Sequence, residues 1–415
     1  DMGVVDLVVT AFKMQTYQAM VDVSPPLRNI AEFDPMQGVL INYGGNDGFA
    51  IPLDLIAEMS EDVVVCTIVD SSAQQATVDS LFDANGVDPI NREYLIAPSD
   101  SEWTRDYGPW FRYNHSINQL EVIDFEYNRP RPDDDNIPNE FANFYAMNAV
   151  YMDIIHAGGN YMTDGDGISA STTLVFSENP SMTEEEIQDM FAEYLGIQTY
   201  HLYPDPLGEY IEHIDCWAKF LSPDSVMVIE VDPSHSNYAD IEAAADWFAN
   251  QVSSTGDFYE VHRVYCHLDE AYVNSLILND KVLVPVSGSV YDADAIAAYE
   301  VAMPGYEVLG FTGSWQNTDA LHCRVKGIPD MDMVAIDHDE LIDQMPNDQG
   351  FEVSSDILSY MDARSVVNAT VHWKNSSVGV WNMVSMIAEE DTYTGFIPNH
   401  PCGESISYYI SAENG

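Results

Sequence analysis

Six short polar segments hold the side chains most able to do chemistry. Cys323 sits in NTDALHCRVKG, between His322 and Arg324. A thiolate is a strong nucleophile and a neighbouring cation favours it. On local sequence alone, nucleophile and inert thiol stand even. His213 and Asp215 lie two apart in YIEHIDCWAKF (210–220). In a strand that spacing points an imidazole and a carboxylate the same way. SEWTRDYGPWFR (101–112) gathers Trp103, Arg105, Asp106, Gly108, Pro109 and Trp110; its plain reading is a structural turn with an internal Arg–Asp pair. FEYNRPRPDDD (125–135) carries Arg129 and Arg131, two of only nine arginines, and a loop salt bridge is the plain reading. Asp133 to Asp135 read as solvated loop carboxylates. HAGGNYMTDGDGISASTTLVFSENP (156–180) contains TDGDG. That resembles part of a calcium loop but lacks the 12-residue pattern and its final Glu. EAYVNSLILN (270–279) and WQNTDALHCR (315–324) complete the set.

Elements able to position these groups alternate along the chain. GVLINY (38–43), DVVVCTIV (62–69), SVMVIEV (225–231) and KVLVPVSG (281–288) read as strands. MTEEEIQDMFAEYLG (182–196) reads as a helix capped by Ser181 and stopped by Gly196. IEAAADWFANQV (241–252), with Asp240 before it, and DADAIAAYEVAM (292–303) read likewise. Strand and helix recur to about residue 325, which predicts an α/β body. After about 330 only strand-like runs follow, among them FEVSSDI, SVVNATVHW, TYTGFI and SISYYISA. They predict a small antiparallel sandwich of immunoglobulin type, with a boundary near Pro329–Asp332. It lacks a Cys…Trp…Cys framework, so strand number and spacing carry that expectation.

Composition narrows the function classes. The chain has 415 residues, 69 Asp plus Glu, 14 Lys plus Arg and a formal net charge of −55. At 46% hydrophobic residues it can build a real core, so the acidity does not signal disorder. So few cations exclude an extended nucleic-acid surface and disfavour anionic membranes. No apolar run approaches the roughly 18 residues of a membrane helix. The chain opens at Asp1 without a basic segment or signal peptide, which fits a mature or trimmed form. Two readings of the charge stand: a hydrated surface suited to high salt, or a field that draws cationic substrates. The five cysteines, Cys66, Cys216, Cys266, Cys323 and Cys402, include no C-x-x-C pair, so a zinc ribbon or thioredoxin-like motif is excluded. Cys66 reads as a core thiol, Cys216 and Cys266 as strand positions, and Cys402 as a loop residue after Pro401. Asn114, Asn368 and Asn375 head N-x-S/T sequons.

Taken together and in order, WTRDYGPW, YNRPRP, GGNYMTDG, the YIEHIDCW segment, NSLILN and NTDALHCR resemble the guanidine-modifying superfamily. They are most similar to the bacterial secreted peptidylarginine deiminases, relatives of the agmatine deiminases. The motifs span residues 101–324. The likeness weakens before residue 35 and after 330.

The resemblance implies a five-fold pseudosymmetric α/β propeller of ββαβ units over residues 1–329. An immunoglobulin-like β-sandwich over 330–415 would follow. It implies that Asp106 and Asp215 grip a guanidinium through charge-assisted bonds, that Cys323 attacks its carbon to form a covalent intermediate, and that His213 moves the protons. Asn274 would shape the site. Tyr210, Asp164 and Trp103 would line the substrate pocket, an aromatic face favouring cations. Arg129 and Arg131 would bind the carboxylate of a C-terminal arginine, so peptides or proteins ending in arginine are the implied substrates and citrulline with ammonia the products. His322 reads as a structural group behind the site. No cofactor is needed for catalysis, since the thiolate supplies the nucleophile; a structural cation at Asp164 and Asp166 is an alternative use of those residues. Secretion or surface location is implied by the family. Deimination of agmatine or free arginine is one alternative, and a catalytically idle binding module is another.

Overall fold

The computed structural model describes residues 5–9, 17–21, 27–44, 48–117, 119–267, 270–338, 341, 348–359, 365–375, 380–400 and 406–415. Cys402 lies outside them. Contacts divide the chain into two compact units, Asp1–Pro329 and Asp330–Gly415.

One local order recurs through the first unit. An antiparallel strand pair is followed by a helix and then a strand parallel to the second of the pair. Ala218–Ser222 and Ser225–Glu230 pair antiparallel, helix Tyr238–Phe248 crosses over, and Glu260–Tyr265 returns parallel. Leu276–Leu278, Lys281–Val286, helix Asp292–Ala302 and Glu307–Thr312 repeat it. So do Met162–Thr163, Ile168–Thr172, helix Glu184–Leu195 and Thr199–Tyr203. Trp110–Asn114, Gln119–Tyr127, helix Ile137–Phe144 and Asn148–His156 repeat it again, with Leu27–Asn29 added at the edge. In the fifth sheet the parallel strands are Met36–Asn42, Val64–Val69 and Arg92–Ile96, and the antiparallel partner is Lys326–Pro329 from the far end of the unit. None of these sheets closes on itself among the described residues. A further pair, Val5–Val9 with Tyr17–Val21, stands outside the repeat.

The parallel strands are apolar runs because both faces are covered. Lys281–Val286 is buried along its whole length. Helix Glu184–Leu195 shows how the covers form. Ile187, Phe191 and Leu195 recur every four residues and are fully buried, each contributing about 1.5–3 kcal/mol. Its cap is Thr183, not Ser181: the Thr183 side chain accepts from the Glu186 N–H while Glu186 reaches back to the Thr183 N–H. T-x-x-E was the signal for that reciprocal cap. Gly196 ends the helix at φ 74°, and a Cβ there would lie 2.2 Å from the Leu27 carbonyl oxygen. The second helix starts earlier than expected: Asn237 caps Tyr238–Phe248 and Asp240 falls in the first turn.

The second unit contains two antiparallel sheets. Val334–Asp337, Phe351–Ser359, Thr392–Ile397 and Ile387–Glu389 form one; Asn382–Ser385, Val366–Asn375 and Ile406–Asn414 form the other. Val353, Ile357, Val371 and Ile397 are buried together in its core.

Candidate active site

The short polar segments become tight turns at the ends of strands. Helix Thr104–Tyr107 carries Arg105 and Asp106. Three 3-10 turns, Gly158–Asn160, Ile214–Cys216 and His322–Arg324, meet around it. His213 and Asp215 are therefore not strand neighbours. His213 is the extended residue that starts its turn, and Asp215 lies inside it. Cys216 shares that turn rather than a strand, and Cys266 follows strand Glu260–Tyr265 instead of lying within it.

Glycines make this convergence possible. A Cβ at Gly158 would lie 2.0 Å from the Arg105 carbonyl oxygen. A Cβ at Gly159 would lie 2.6 Å from Asp106 Oδ1, 2.7 Å from His213 Nδ1 and 3.2 Å from Asp215 Oδ2. Gly159 thus marks the hollow these three groups surround, and its N–H donates to Asp106 Oδ1 at 3.2 Å. Asn160 ties the turns together, its Oδ1 accepting from the N–H groups of Thr172 (3.0 Å) and Ile214 (3.2 Å).

Asp106, His213, Asp215, Asn274 and Cys323 are each at most 4% exposed. His213 Nδ1 lies 3.6 Å from Asp106 Oδ1, and neither ring nitrogen has a hydrogen-bond partner among the described residues. Cys323 Sγ lies 3.3 Å from Asn274 Nδ2 and 3.8 Å from Asp215 Oδ2. Asn274 also accepts from the N–H groups of His322 (2.9 Å) and Cys323 (3.3 Å) and donates to the Asp215 carbonyl at 3.3 Å. One amide therefore fixes the thiol-bearing turn and the Asp215 turn.

Behind Asp215 stands a chain of buried charges. His322 Nδ1 meets Asp215 Oδ2 at 2.7 Å and His322 Nε2 meets Glu32 Oε2 at 2.5 Å. Burial pulls the imidazole's pKa down. Yet both nitrogens face carboxylate oxygens, and only an imidazolium can donate in both directions. Glu32 also pairs with Lys219 and Arg105, each at 2.8 Å. Burial alone would raise the Glu32 carboxyl; His322, Lys219 and Arg105 hold it well below the usual range. Arg105 therefore serves Glu32, and the expected local Arg105–Asp106 pair is replaced by a long-range one. Glu32, Lys219, Gly159 and Asn160 had no assigned part in the sequence reading. For Gly159 the adjacent glycines of GGN were the available signal.

The two carboxylates beside Gly159, Asp106 and Asp215, differ. Burial, then the nearby Asp215 charge, pushes Asp106 well above the usual range. Burial also works against Asp215, but the His322 bonds hold it low. Like charges sharing a dry site split in this way. Burial lowers His213 to about 4 and raises Cys323 well above its ordinary value, with Asp215 and Asp106 adding to the rise. The arrangement is short of positive charge at its centre, and a planar cation with N–H donors would complete it.

Arg131 Cζ lies 4.4 Å from the Trp103 ring centroid, and its Nη1 donates to Tyr127 Oη at 3.1 Å. Arg129 donates to the Asn128 carbonyl at 3.2 Å, and its charge acts on Asp106, His213 and Glu178. Neither arginine has an ion-pair partner among the described residues, whereas Arg28, Arg92, Arg105, Arg112, Arg263 and Arg324 each pair with a carboxylate. Asp134 is no solvated loop carboxylate: it is fully buried and accepts from the Asp100 and Ser101 N–H groups and the Ser101 hydroxyl. Asp164 is built into a hairpin turn, its Oδ1 accepting from the N–H groups of Asp166 (2.8 Å) and Ile168 (2.9 Å). Tyr210 is 81% exposed. Among the described residues no group of three or more His, Cys, Asp or Glu is placed to hold a metal ion, and no helix is long and apolar enough to cross a membrane.

A family model described as Porphyromonas-type peptidyl-arginine deiminase matches residues 31–329. Two proteins named "Putative agmatine deiminase" are similar in sequence. That of Shewanella frigidimarina is 25% identical, covering 60% of this chain and 79% of the relative. That of Streptococcus mutans is 26% identical, covering 53% and 71%. The fold is similar to the agmatine deiminase structure of Enterococcus faecalis, with TM-score 0.65 and 20% identity over 74% of this chain and 98% of that one. It is also similar to C. jejuni agmatine deiminase, with TM-score 0.62 and 16% identity over 73% and 96%.

Proposed function

The chain belongs to the Porphyromonas-type peptidyl-arginine deiminase family, whose hydrolases act on guanidino C–N bonds, and from that premise we propose that it deiminates arginine at the C-terminus of peptides or proteins. The observation that carries this choice is the unpaired Arg129 and Arg131. In a chain with 69 acidic residues, the two arginines of one motif near the site have no carboxylate partner among the described residues. A substrate α-carboxylate is the partner they lack.

In the proposed reaction the guanidinium enters the hollow beside Gly159, between Asp106 and Asp215. Its positive charge offsets the carboxylate fields that hold Cys323 protonated and draws Asp106 into its ionised form. The thiol sulfur bonds to the guanidinium carbon as its proton passes to neutral His213. His213 passes a proton to one terminal nitrogen, the C–N bond breaks, and ammonia leaves. The product at this point is a positively charged S-thiouronium ester of Cys323. His213 then takes a proton from water, the water oxygen bonds to the same carbon, and the C–S bond breaks. The ureido group of citrulline and the free thiol result, with the released proton converting ammonia to ammonium. Burial favours neutral His213, the state needed to accept that proton. No step calls on a cofactor.

We read the repeated strand–strand–helix–strand order as the blades of an α/β propeller, and the two sheets of the second unit as an immunoglobulin-like sandwich. The implied location is outside the cell, and the net charge of −55 suits a saline setting.

The second reading is agmatine deimination, favoured by the names of the relatives above. Agmatine and a short peptide ending in arginine, assayed side by side for ammonia across salt concentrations, separate the two. Faster turnover of the peptide is expected. A large preference for agmatine would remove the carboxylate role from Arg129 and Arg131.

A further inference from the structure

The His213 imidazole has no hydrogen-bond partner on either ring nitrogen among the described residues. It is buried and faces the hollow at Gly159. Packing and the backbone that carries it must therefore set its direction. His213 itself is ordinary extended backbone, at φ −88° and ψ 139°. Glu212, the residue before it, is not: its φ is 52°. The left-handed region disfavours a glutamate roughly 5- to 30-fold. A residue stays there only when its surroundings hold it.

Two fully buried side chains supply that hold. Thr172 ends strand Ile168–Thr172, and its hydroxyl donates to the Glu212 carbonyl at 2.6 Å. Asn160 Oδ1 accepts from the Ile214 N–H at 3.2 Å and from the Thr172 N–H at 3.0 Å. The peptide groups on both sides of His213 are thus clamped, and the two clamps are joined to each other. Release of Glu212 to an ordinary negative φ would rotate the chain at the residue that aims the imidazole.

We propose that Thr172 is a positioning residue for His213: its hydroxyl keeps Glu212 in the left-handed conformation and so points the imidazole into the hollow between Asp106 and Asp215. This role rests on the proton transfers given to His213 above. Thr172 Oγ1 also accepts from the Leu174 N–H at 3.3 Å, at the start of a short helix. Loss of activity alone would therefore not separate positioning from scaffold.

Ammonia release is measured with whichever of agmatine and the arginine peptide the wild type turns over faster, and His213 is titrated by imidazole NMR. Thr172→Val should lower kcat about 30-fold and leave KM within about twofold, because the groups proposed to hold the guanidinium are untouched. Its His213 midpoint should rise from about 4 towards the ordinary value of about 6.5, as a loosened ring meets water. Asp106, Asp215, Arg129 and His156 are the charged or titratable groups around that ring. Thr172→Ser, which restores the hydroxyl, should recover most of both losses. In a Glu212→Gly background, Thr172→Val should cost at most about threefold, since glycine needs no clamp at positive φ. Glu212→Asn should keep kcat at least about fivefold above Glu212→Val, because asparagine tolerates the left-handed region and a β-branched residue does not. That pair leaves Thr172 intact, so it decides the matter even if Thr172→Val does not fold. An unchanged kcat and midpoint in Thr172→Val, an equal loss in Thr172→Ser, an equal loss in the Glu212→Gly background, or equal kcat in the Glu212 pair would each overturn the proposal. Should the wild type release ammonia from neither substrate, the deiminase reading would fail, and the titration shifts alone would decide the role of Thr172.

Discussion

Arginine is used in opposite ways on two sides of this centre. Arg105 is buried, 2.8 Å from Glu32, and belongs to a charge chain that reaches Asp215 through His322. Arg129 and Arg131 lie against a peptide carbonyl, a phenol and an indole face and form no ion pair among the described residues, the Arg129 charge reaching Asp106 and Glu178 only at longer range. The first arrangement spends its charge within the fold, where breaking one member strands the others. The second keeps its charge available. In a protein so rich in carboxylates, a cation with no ion pair among the described residues is what sets the proposed substrate-binding arginines apart from the scaffold.

Four experiments break or sharpen that contrast, beginning with the largest effect. If either side serves a reaction at Cys323, Cys323→Ala should lower kcat for ammonia release by at least about 10⁴-fold. Activity near wild type would detach both arginine sets from catalysis. On the committed side, Glu32→Gln should reduce kcat roughly 100-fold by loosening His322 and Asp215. It should also lower stability by about 3 kcal/mol in urea unfolding. Unchanged kcat would show that Glu32 does not position the site. On the available side, Arg131→Ala should raise KM about tenfold for peptides with a free C-terminal carboxylate and leave KM for agmatine unchanged. Equal effects on both substrates would assign Arg131 to the scaffold.

The smallest effect is electrostatic. His213 lies at about 4, mostly through burial, with Arg129 contributing. Its folded value is below the unfolded value of about 6.5. The stability from holding it neutral is therefore complete above pH 6.5 and is lost as pH falls towards 4. Arg129→Gln should raise the His213 titration midpoint by a fraction of a unit in imidazole NMR. An unmoved midpoint would place the Arg129 charge too far away to matter.

The sequence was readable where chemistry or periodicity is local. The strands Lys281–Val286 and Ser225–Glu230 and the stop at Gly196 stand where apolar runs and a glycine put them. The chemically rich segments were identifiable because Cys323, His213 and Asp106 each sit among other polar and aromatic residues. Their geometry was less accessible. The two-residue spacing of His213 and Asp215 suits a strand, but the chain turns there into a 3-10 conformation, so their meeting owes nothing to strand alternation. Glu32 was invisible for another reason. A lone glutamate in IAEFD carries no motif, and its part exists only through partners as distant as His322. Asp134 was misread because it sits in a run of three aspartates, and only the fold shows which one turns inward.

Strand Met36–Asn42 pairs with Lys326–Pro329, and Glu32 bonds to His322 across 290 residues of chain. During synthesis, the turn carrying Cys323 emerges just before the strand that fastens the end of the first unit to its beginning. A nascent chain can therefore complete its intermediate sheets while the centre still lacks its thiol. Contacts of such sequence separation form slowly. The Cys323 sulfur thus reaches its place only when the earlier strands are already present to receive and shield it.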